Sequence, residues 1–159
     1  LQSISHGFVA GGMFLLIGIV YDRYHSRLLY YYGGLVHMMP IYSGILLVFT
    51  MANIALPGTS SFVGEFLLLL GIYKTNVLSA IVGALGVILC GAYSLWLYNR
   101  MIFGNLKTTF VVRFRDLNFL EFSILLPLLF FVIYMGVYPS FFSNFIHLSV
   151  CNLSLVTMY

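Results

Sequence analysis

The sequence contains very little charge. Of its 159 residues, seven are Lys or Arg and four are Asp or Glu, so charged side chains make up 7% of the chain. Soluble domains are about a quarter charged, because a small domain has a large surface that must be hydrated. Most of this surface must therefore face lipid or other membrane-embedded protein. The composition excludes a soluble enzyme, a nucleic-acid binder and a disordered chain.

Cysteine is scarce as well. Cys90 and Cys151 lie far apart in apolar surroundings, and no CxxC or Cys/His spacing is present. This pattern excludes a disulfide framework, a zinc site and an iron–sulfur cluster. The histidines also lack the spacing of axial haem ligands in facing spans. We expect both cysteines to be packing residues, and we expect neither a metal ion nor an organic cofactor in this chain.

Long apolar runs fill most of the sequence. Crossing about 30 Å of hydrocarbon takes about 20 residues of α-helix. We predict an all-α membrane protein with about four transmembrane helices, in a single transmembrane unit over residues 1–159. The predicted spans are residues 4–20, 41–73, 77–98 and 119–137. The tail, residues 140–159, fits either a continuation of the last helix or an interfacial segment.

The second span is too long for one straight helix, since its 33 residues would measure about 50 Å. Pro57 and Gly58 interrupt it within the stretch 56–61. Proline lacks a backbone donor and glycine is conformationally permissive, and hydroxyl residues that follow can cap a restarted helix. We predict half-helices at 41–55 and 60–73 with a non-helical link at membrane depth. Such a link has to be covered by protein or a water-filled cavity.

The distribution of basic residues predicts a topology. Lys74 lies on one side of the predicted spans, and six basic residues lie on the other, in loops 21–40 and 99–118. These six are Arg23, Arg27, Arg100, Lys107, Arg113 and Arg115. By the positive-inside rule, both loops face the cytoplasm or the mitochondrial matrix, and both termini face the other compartment.

Glu65 is the one acidic residue inside an apolar span. A charge at the centre of a membrane helix costs about 2.5 to 3.5 kcal/mol on insertion scales. Burial disfavours the charged form and a nearby cation favours it, so such a carboxyl can take up and release a proton as neighbouring charges change. The positive end of the restarted half-helix would help to hold the anion. Proton or cation handling is favoured, and pairing that only fixes helix packing is the alternative.

Four other residues are candidates for the same path. His6 opens the first span, and its ordinary pKa of about 6.5 suits proton exchange, although a hydrogen bond to a backbone carbonyl is an equally good interpretation. Ser60 and Ser61 can line a hydrated path to Glu65. Lys74 lies about 13 Å along the same helix from Glu65, and it either lines the path or extends its ammonium group to the interface. A cation for an ionised Glu65 is therefore expected from another chain or from upstream residues.

Several motifs in the sequence resemble one family of membrane proteins. They are Ile4-Ser5-His6-Gly7, Tyr21-Asp22-Arg23-Tyr24-His25, Gly33-Gly34-Leu35, the continuous stretch 52–66 and the stretch 93–100. Together they closely resemble the C-terminal part of the NADH dehydrogenase subunit 4 family, the antiporter-like membrane subunits of respiratory complex I. The resemblance covers about residues 3–139, weakens between 105 and 118, and is most specific in 56–66.

This resemblance implies that the spans are the last four of a fourteen-helix bundle whose discontinuous helix contains Glu65. It implies that Glu65 belongs to a central row of protonatable residues and that His6 serves the same proton path. It further implies a subunit of the proton-translocating NADH:ubiquinone reductase of the mitochondrial inner membrane, with loops 21–40 and 99–118 on the matrix side. Flavin, iron–sulfur clusters and ubiquinone would be handled by other subunits. The expected neighbours are antiporter-like subunits 2 and 5, and lipids.

The family's earlier helices are absent from these residues, and the sequence begins with Leu1 rather than Met. A split gene, whose other product carries the N-terminal helices, and a piece of a longer subunit both explain this. Two alternatives to the complex I hypothesis stay open. One is a fragment of a multi-subunit cation/proton antiporter, and the other is a purely structural piece of the membrane arm.

Overall fold

The computed structural model describes residues 1–105 and 115–157, and within them all regular secondary structure is helical. The α-helices are α1 (Gln2–Tyr24), α2 (Pro40–Asn53), α3 (Ser60–Thr75), α4 (Val77–Ile102), α5 (Phe119–Val137) and α6 (Ser140–Thr157). Two short 3-10 helices, Leu29–Tyr31 and Leu35–His37, lie in the connection between α1 and α2. Lys107 and Arg113, which the predicted topology counts, lie outside the described residues.

Three of the helices are long and apolar enough to cross a membrane. These are α1, α4 and α5, with 23, 26 and 19 residues, while α2 is apolar but has only 14. The prediction of an all-α membrane protein is confirmed. The predicted spans 4–20 and 77–98 lie inside α1 and α4, and α5 has the predicted bounds 119–137. The tail forms a separate helix, α6, which begins after Pro139.

The helices pack through small and apolar side chains. The buried face of α1 recurs every three or four residues, as expected of a helix with one side in a core. It comprises Ser5, Val9, Gly12, Leu16 and Val20. Opposite it, the ring of Phe49 on α2 is fully buried against Gly12, where any Cβ would lie 2.3 Å from a ring carbon. The absence of a side chain at Gly12 therefore sets how closely α1 and α2 approach.

The outer faces of the bundle are apolar and open. Leu78 on α4 is 70% exposed, and Phe119 and Val137 at the two ends of α5 are 83% and 72% exposed. In water such surfaces would be unfavourable, but they suit lipid or further membrane helices. The bundle therefore presents most of its surface as a membrane protein does.

A non-helical link, residues 54–59, separates α2 from α3. Its backbone enters the left-handed region at Ala55 (φ 61°) and at Gly58 (φ 94°). The expectation that hydroxyl residues cap the restarted helix is wrong. Thr59 precedes α3 without capping it, and its hydroxyl instead donates to the carbonyl of Leu56 at 2.7 Å. The hydroxyls of Ser60 and Ser61 point to α1, because a partner there satisfies them.

Helix α5 covers one side of this link. A Cβ at Gly136 would lie 2.3 Å from the carbonyl oxygen of Gly58 and 2.5 Å from the carbonyl carbon of Thr59. Thr59 is buried, whereas Leu56, Pro57 and Gly58 are exposed on this chain. Protein therefore covers the interrupted backbone on the α5 side, and only glycine at position 136 allows this approach.

Charged side chains join the helix ends at the loop end of the bundle. The Arg23 guanidinium donates to the Glu121 carboxylate at 2.7 Å and to the Asp116 carbonyl at 3.2 Å. The Asp116 carboxylate accepts from the backbone N–H groups of Ile41 and Tyr42, at 2.8 and 3.1 Å. An anion is favourable there, because the first N–H groups of a helix lack intrahelical partners. Three helices, α1, α2 and α5, are thus fixed together at this end.

Candidate proton-exchange site

The candidate site lies where α1 packs against the first turns of α3. The two helices run antiparallel, so that Ser5 meets the start of α3 while Gln2 meets residues one turn further along it. Ser61 and Glu65 are four residues apart on α3 and share a face of the helix. The contact therefore brings hydroxyl, amide and carboxyl groups together between otherwise apolar helices.

A cluster of three hydroxyls forms the first part of the site. Ser5 Oγ donates to Ser60 Oγ at 2.7 Å and lies 3.1 Å from Ser61 Oγ. The three side chains are nearly inaccessible, with exposures of 0%, 1% and 4%. A hydroxyl both donates and accepts, so a cluster of this kind can reorient its hydrogen bonds as a proton passes.

Glu65 and Gln2 form the second part. Gln2 Nε2 donates to Glu65 Oε1 at 3.3 Å, and both side chains are half-buried. Gly64 makes the contact possible, because a Cβ there would lie 2.2 Å from Gln2 Oε1 and 2.9 Å from Gln2 Cα. Backbone packing against Gly64 thus places the amide beside the carboxyl.

The Glu65 carboxyl has no cationic partner within residues 1–105 and 115–157, where the one ion pair is Arg23 with Glu121. Lys74 lies in the last turn of α3 with an exposed side chain. Basic groups near a helix C-terminus are favourable through the helix dipole. A role for Lys74 in lining the path stays a prediction, and the described contact of Glu65 is with a neutral amide.

His6 is next to Ser5 in sequence but does not join the hydroxyl cluster. Its side chain is exposed on this chain, and it makes no hydrogen bond to any described residue. One step along an α-helix turns the side chain by about 100°, so burial of Ser5 directs His6 away from α3. Ser5, and not His6, lies beside Ser60 and Ser61. The role of His6 in proton transfer stays a prediction.

Sequence reasoning missed Gln2 and Ser5. Both lie on one face of α1, three residues apart, and this face is the one that meets α3. The available signal was a pair of polar residues at helical spacing in an apolar helix, as Ser61 and Glu65 also are on α3. Hydrogen bonds between spans commonly use such residues.

The fold and the site together define a polytopic α-helical membrane protein in which an interrupted helix carries a carboxyl group into a polar contact between helices. Residues 1–91 match the family model of the NADH:quinone oxidoreductase/Mrp antiporter transmembrane proteins. The chain belongs to this family.

Proteins of known identity are similar over nearly the whole chain. The NADH-ubiquinone oxidoreductase chain 4 of Marchantia polymorpha is 55% identical over 153 residues, which are 96% of this chain and 31% of the relative. The NADH-quinone oxidoreductase subunit M of Rhodobacter capsulatus is 48% identical over 152 residues, 96% of this chain and 30% of the relative. This chain therefore spans about a third of the length of these relatives.

A solved structure has the same fold. A chain of respiratory complex I from Thermus thermophilus with bound NADH superimposes with a TM-score of 0.81 at 32% sequence identity. The match covers 87% of this chain and 29% of that one. The helical arrangement described above thus also occurs in a chain of that complex.

Proposed function

We propose that this chain is part of an antiporter-like membrane-arm subunit of respiratory complex I and contributes to proton translocation driven by electron transfer from NADH to ubiquinone. The observation that carries the proposal is 55% identity to a chain 4 relative over 96% of this chain, together with the Glu65 site that the matched residues build. The redox groups, which are flavin, iron–sulfur clusters and ubiquinone, belong to other subunits in this proposal.

The mechanism is electrostatic. A change of charge along the membrane arm alters the balance between the ionised and neutral forms of Glu65, because desolvated carboxyls respond strongly to nearby charges. Glu65 then exchanges a proton with water and with the hydroxyls of Ser61, Ser5 and Ser60. His6, which is exposed on this chain, exchanges protons with a neighbouring chain or with helices outside this chain.

The proposal also defines the surroundings of the chain. It lies in the mitochondrial inner membrane with loops 21–40 and 99–118 on the matrix side, as the excess of basic residues in these loops supports. Its neighbours are the N-terminal helices of subunit 4, in the same polypeptide or in a second chain, and antiporter-like subunits 2 and 5, with lipids between them. The exposed apolar face of α4 is suited to such contacts.

Glu65→Gln tests the function in the assembled complex. We expect fewer protons pumped per NADH oxidised, with assembly and NADH oxidation in uncoupled membranes retained, because glutamine keeps the shape of the side chain but cannot ionise. Asp22→Asn is the matched control, since Asp22 is exposed at the end of α1. An unchanged proton stoichiometry in Glu65→Gln would refute the assignment of the site.

The same series separates the two alternatives. If Glu65→Ala destabilises the complex while Glu65→Gln pumps normally, the residue serves packing only. A multi-subunit cation/proton antiporter is the second candidate function, because the matched family includes Mrp antiporters. Purification of the intact assembly decides this point, since only complex I brings NADH oxidation and iron–sulfur proteins with the chain.

A further inference from the structure

We propose that Gln2 is a positioning residue that hydrogen-bonds the Glu65 side chain in both its ionised and its neutral form by turning its amide over. The inference deepens the proposed function and rests on it. Gln2 itself neither gains nor loses a proton. Its role is to hold the Glu65 carboxyl in one place while the proton moves between that carboxyl and the water and hydroxyls of the site.

The hydrogen-bond pattern of Gln2 is the first observation. Its Nε2 donates to Glu65 Oε1 at 3.3 Å, which suits an ionised carboxylate, since a carboxylate can only accept. Its Oε1 is buried and has no hydrogen-bond partner in the described part of the chain. Buried polar atoms are nearly always satisfied, so an unused acceptor beside a titratable group requires a reason.

Protonation of Glu65 supplies that reason. A neutral carboxyl gains one O–H donor, and a donor needs an acceptor. Rotation of the Gln2 amide by half a turn exchanges Nε2 and Oε1, so the carbonyl oxygen comes to the position from which Nε2 now donates. The acid O–H then donates to Oε1, and Nε2 takes the buried position that Oε1 occupies now. One neutral side chain thus serves both states of Glu65, which neither a cation nor a hydrocarbon side chain at position 2 would do.

The packing around Gly64 is the second observation, and it is independent of the first. A Cβ at position 64 would lie 2.2 Å from Gln2 Oε1, 2.9 Å from Gln2 Cα and 2.9 Å from Gln2 Cβ. The whole Gln2 residue therefore rests on the α3 backbone next to Glu65, where it cannot withdraw without separating the two helices. This close approach fixes the distance between the Gln2 amide and the Glu65 carboxyl.

The test is infrared difference spectroscopy of the assembled complex. The variant is Gln2→Met, because methionine keeps the length of glutamine but has neither a strong donor nor a strong acceptor. The C=O stretching band of neutral Glu65 is identified by its loss in Glu65→Gln. We expect this band to move to higher frequency in Gln2→Met and pumping to slow about tenfold, the equivalent of about 1.4 kcal/mol for one lost hydrogen bond to a charged group. Ser3→Ala, at an exposed site on α1, should change neither.

The frequency of this band decides whether Gln2 hydrogen-bonds the neutral form of Glu65. A band that keeps its frequency in Gln2→Met overturns the inference, even if pumping slows, because a structural role would not need the hydrogen bond. If Gln2→Met fails to assemble, Gln2→Leu provides the second test, since leucine also has neither a donor nor an acceptor in its side chain and should produce the same band shift. Failure of the proposed function is distinguishable, because Glu65→Gln would then pump normally.

Discussion

Replacement of Gly136 by alanine tests whether α5 covers the interrupted backbone between α2 and α3. The new Cβ would lie 2.3 Å from the carbonyl oxygen of Gly58, 2.5 Å from the carbonyl carbon of Thr59 and 2.6 Å from that of Gly58. Non-bonded heavy atoms are most stable at about 3.5 to 4.0 Å. The helix and the link must therefore separate by about 1 Å, and because all three atoms belong to the backbone, no rotamer change can relieve the overlap.

The magnitude follows from two opposing effects. Overpacking costs about 1 to 3 kcal/mol, and we take about 3 kcal/mol here because backbone has to move. Alanine in place of glycine inside a helix stabilises the folded state by about 1 kcal/mol, because alanine has the higher helix propensity. The net loss of stability is then about 2 kcal/mol, a factor of about 30 in an opening equilibrium. Gly86→Ala on α4 is the matched control, because nothing lies within 4 Å of a Cβ at that position.

The assay is hydrogen–deuterium exchange of the purified complex, followed at the amides of Leu56 and Thr59. These amides are hydrogen-bonded to the carbonyls of Met51 and Leu56, respectively. We expect exchange at these amides to be about 30-fold faster in Gly136→Ala and unchanged in Gly86→Ala. The thermal midpoint of Gly136→Ala should also be lower. Equal exchange in the two variants would refute the claim that α5 holds the link in place.

Two further predictions concern the packing that supports the site. Gly12→Ala should lower the thermal midpoint of the solubilised complex by the equivalent of up to about 2 kcal/mol, because its Cβ would lie 2.3 Å from the buried Phe49 ring and alanine offsets about 1 kcal/mol of the overpacking. Gly11→Ala meets nothing within 4 Å and should be tolerated. Asp116→Ala should destabilise the start of α2 by about 0.5 to 2 kcal/mol, because the N–H groups of Ile41 and Tyr42 lose their acceptor. We expect faster hydrogen exchange in the first turn of α2. Unaltered exchange there would contradict the capping role of Asp116.

The sequence was sufficient to predict an all-α membrane protein, and the predicted bounds of α5 agree with the structure. Apolar length determines membrane spans because lipid cannot hydrogen-bond exposed backbone, so only continuous helices or covered breaks persist. Pro57 and Gly58 marked the break for the same reason, since proline removes a donor and Gly58 adopts a positive φ. These features depend on residues close together in the chain, and local sequence is enough to predict them.

The partners within the site could not be predicted in the same way. Ser60 and Ser61 were expected to cap a helix, yet they bond to Ser5, which is 55 residues away from the first of them. Which hydrogen-bond partner these serines take depends on the register of α1 against α3. That register is set by the close approach of Gln2 to Gly64. Such a contact arises from two distant segments, so no local pattern in either one specifies it.

The contact of Gln2 with Gly64 also has a consequence for speed. Because α1 and α3 already touch through backbone, a change in the state of Glu65 requires no helix displacement, which would take microseconds to milliseconds. Turning the Gln2 amide in place would be a side-chain motion confined to this contact. The contact between α1 and α3 would then keep its geometry while the hydrogen bond at Glu65 changes.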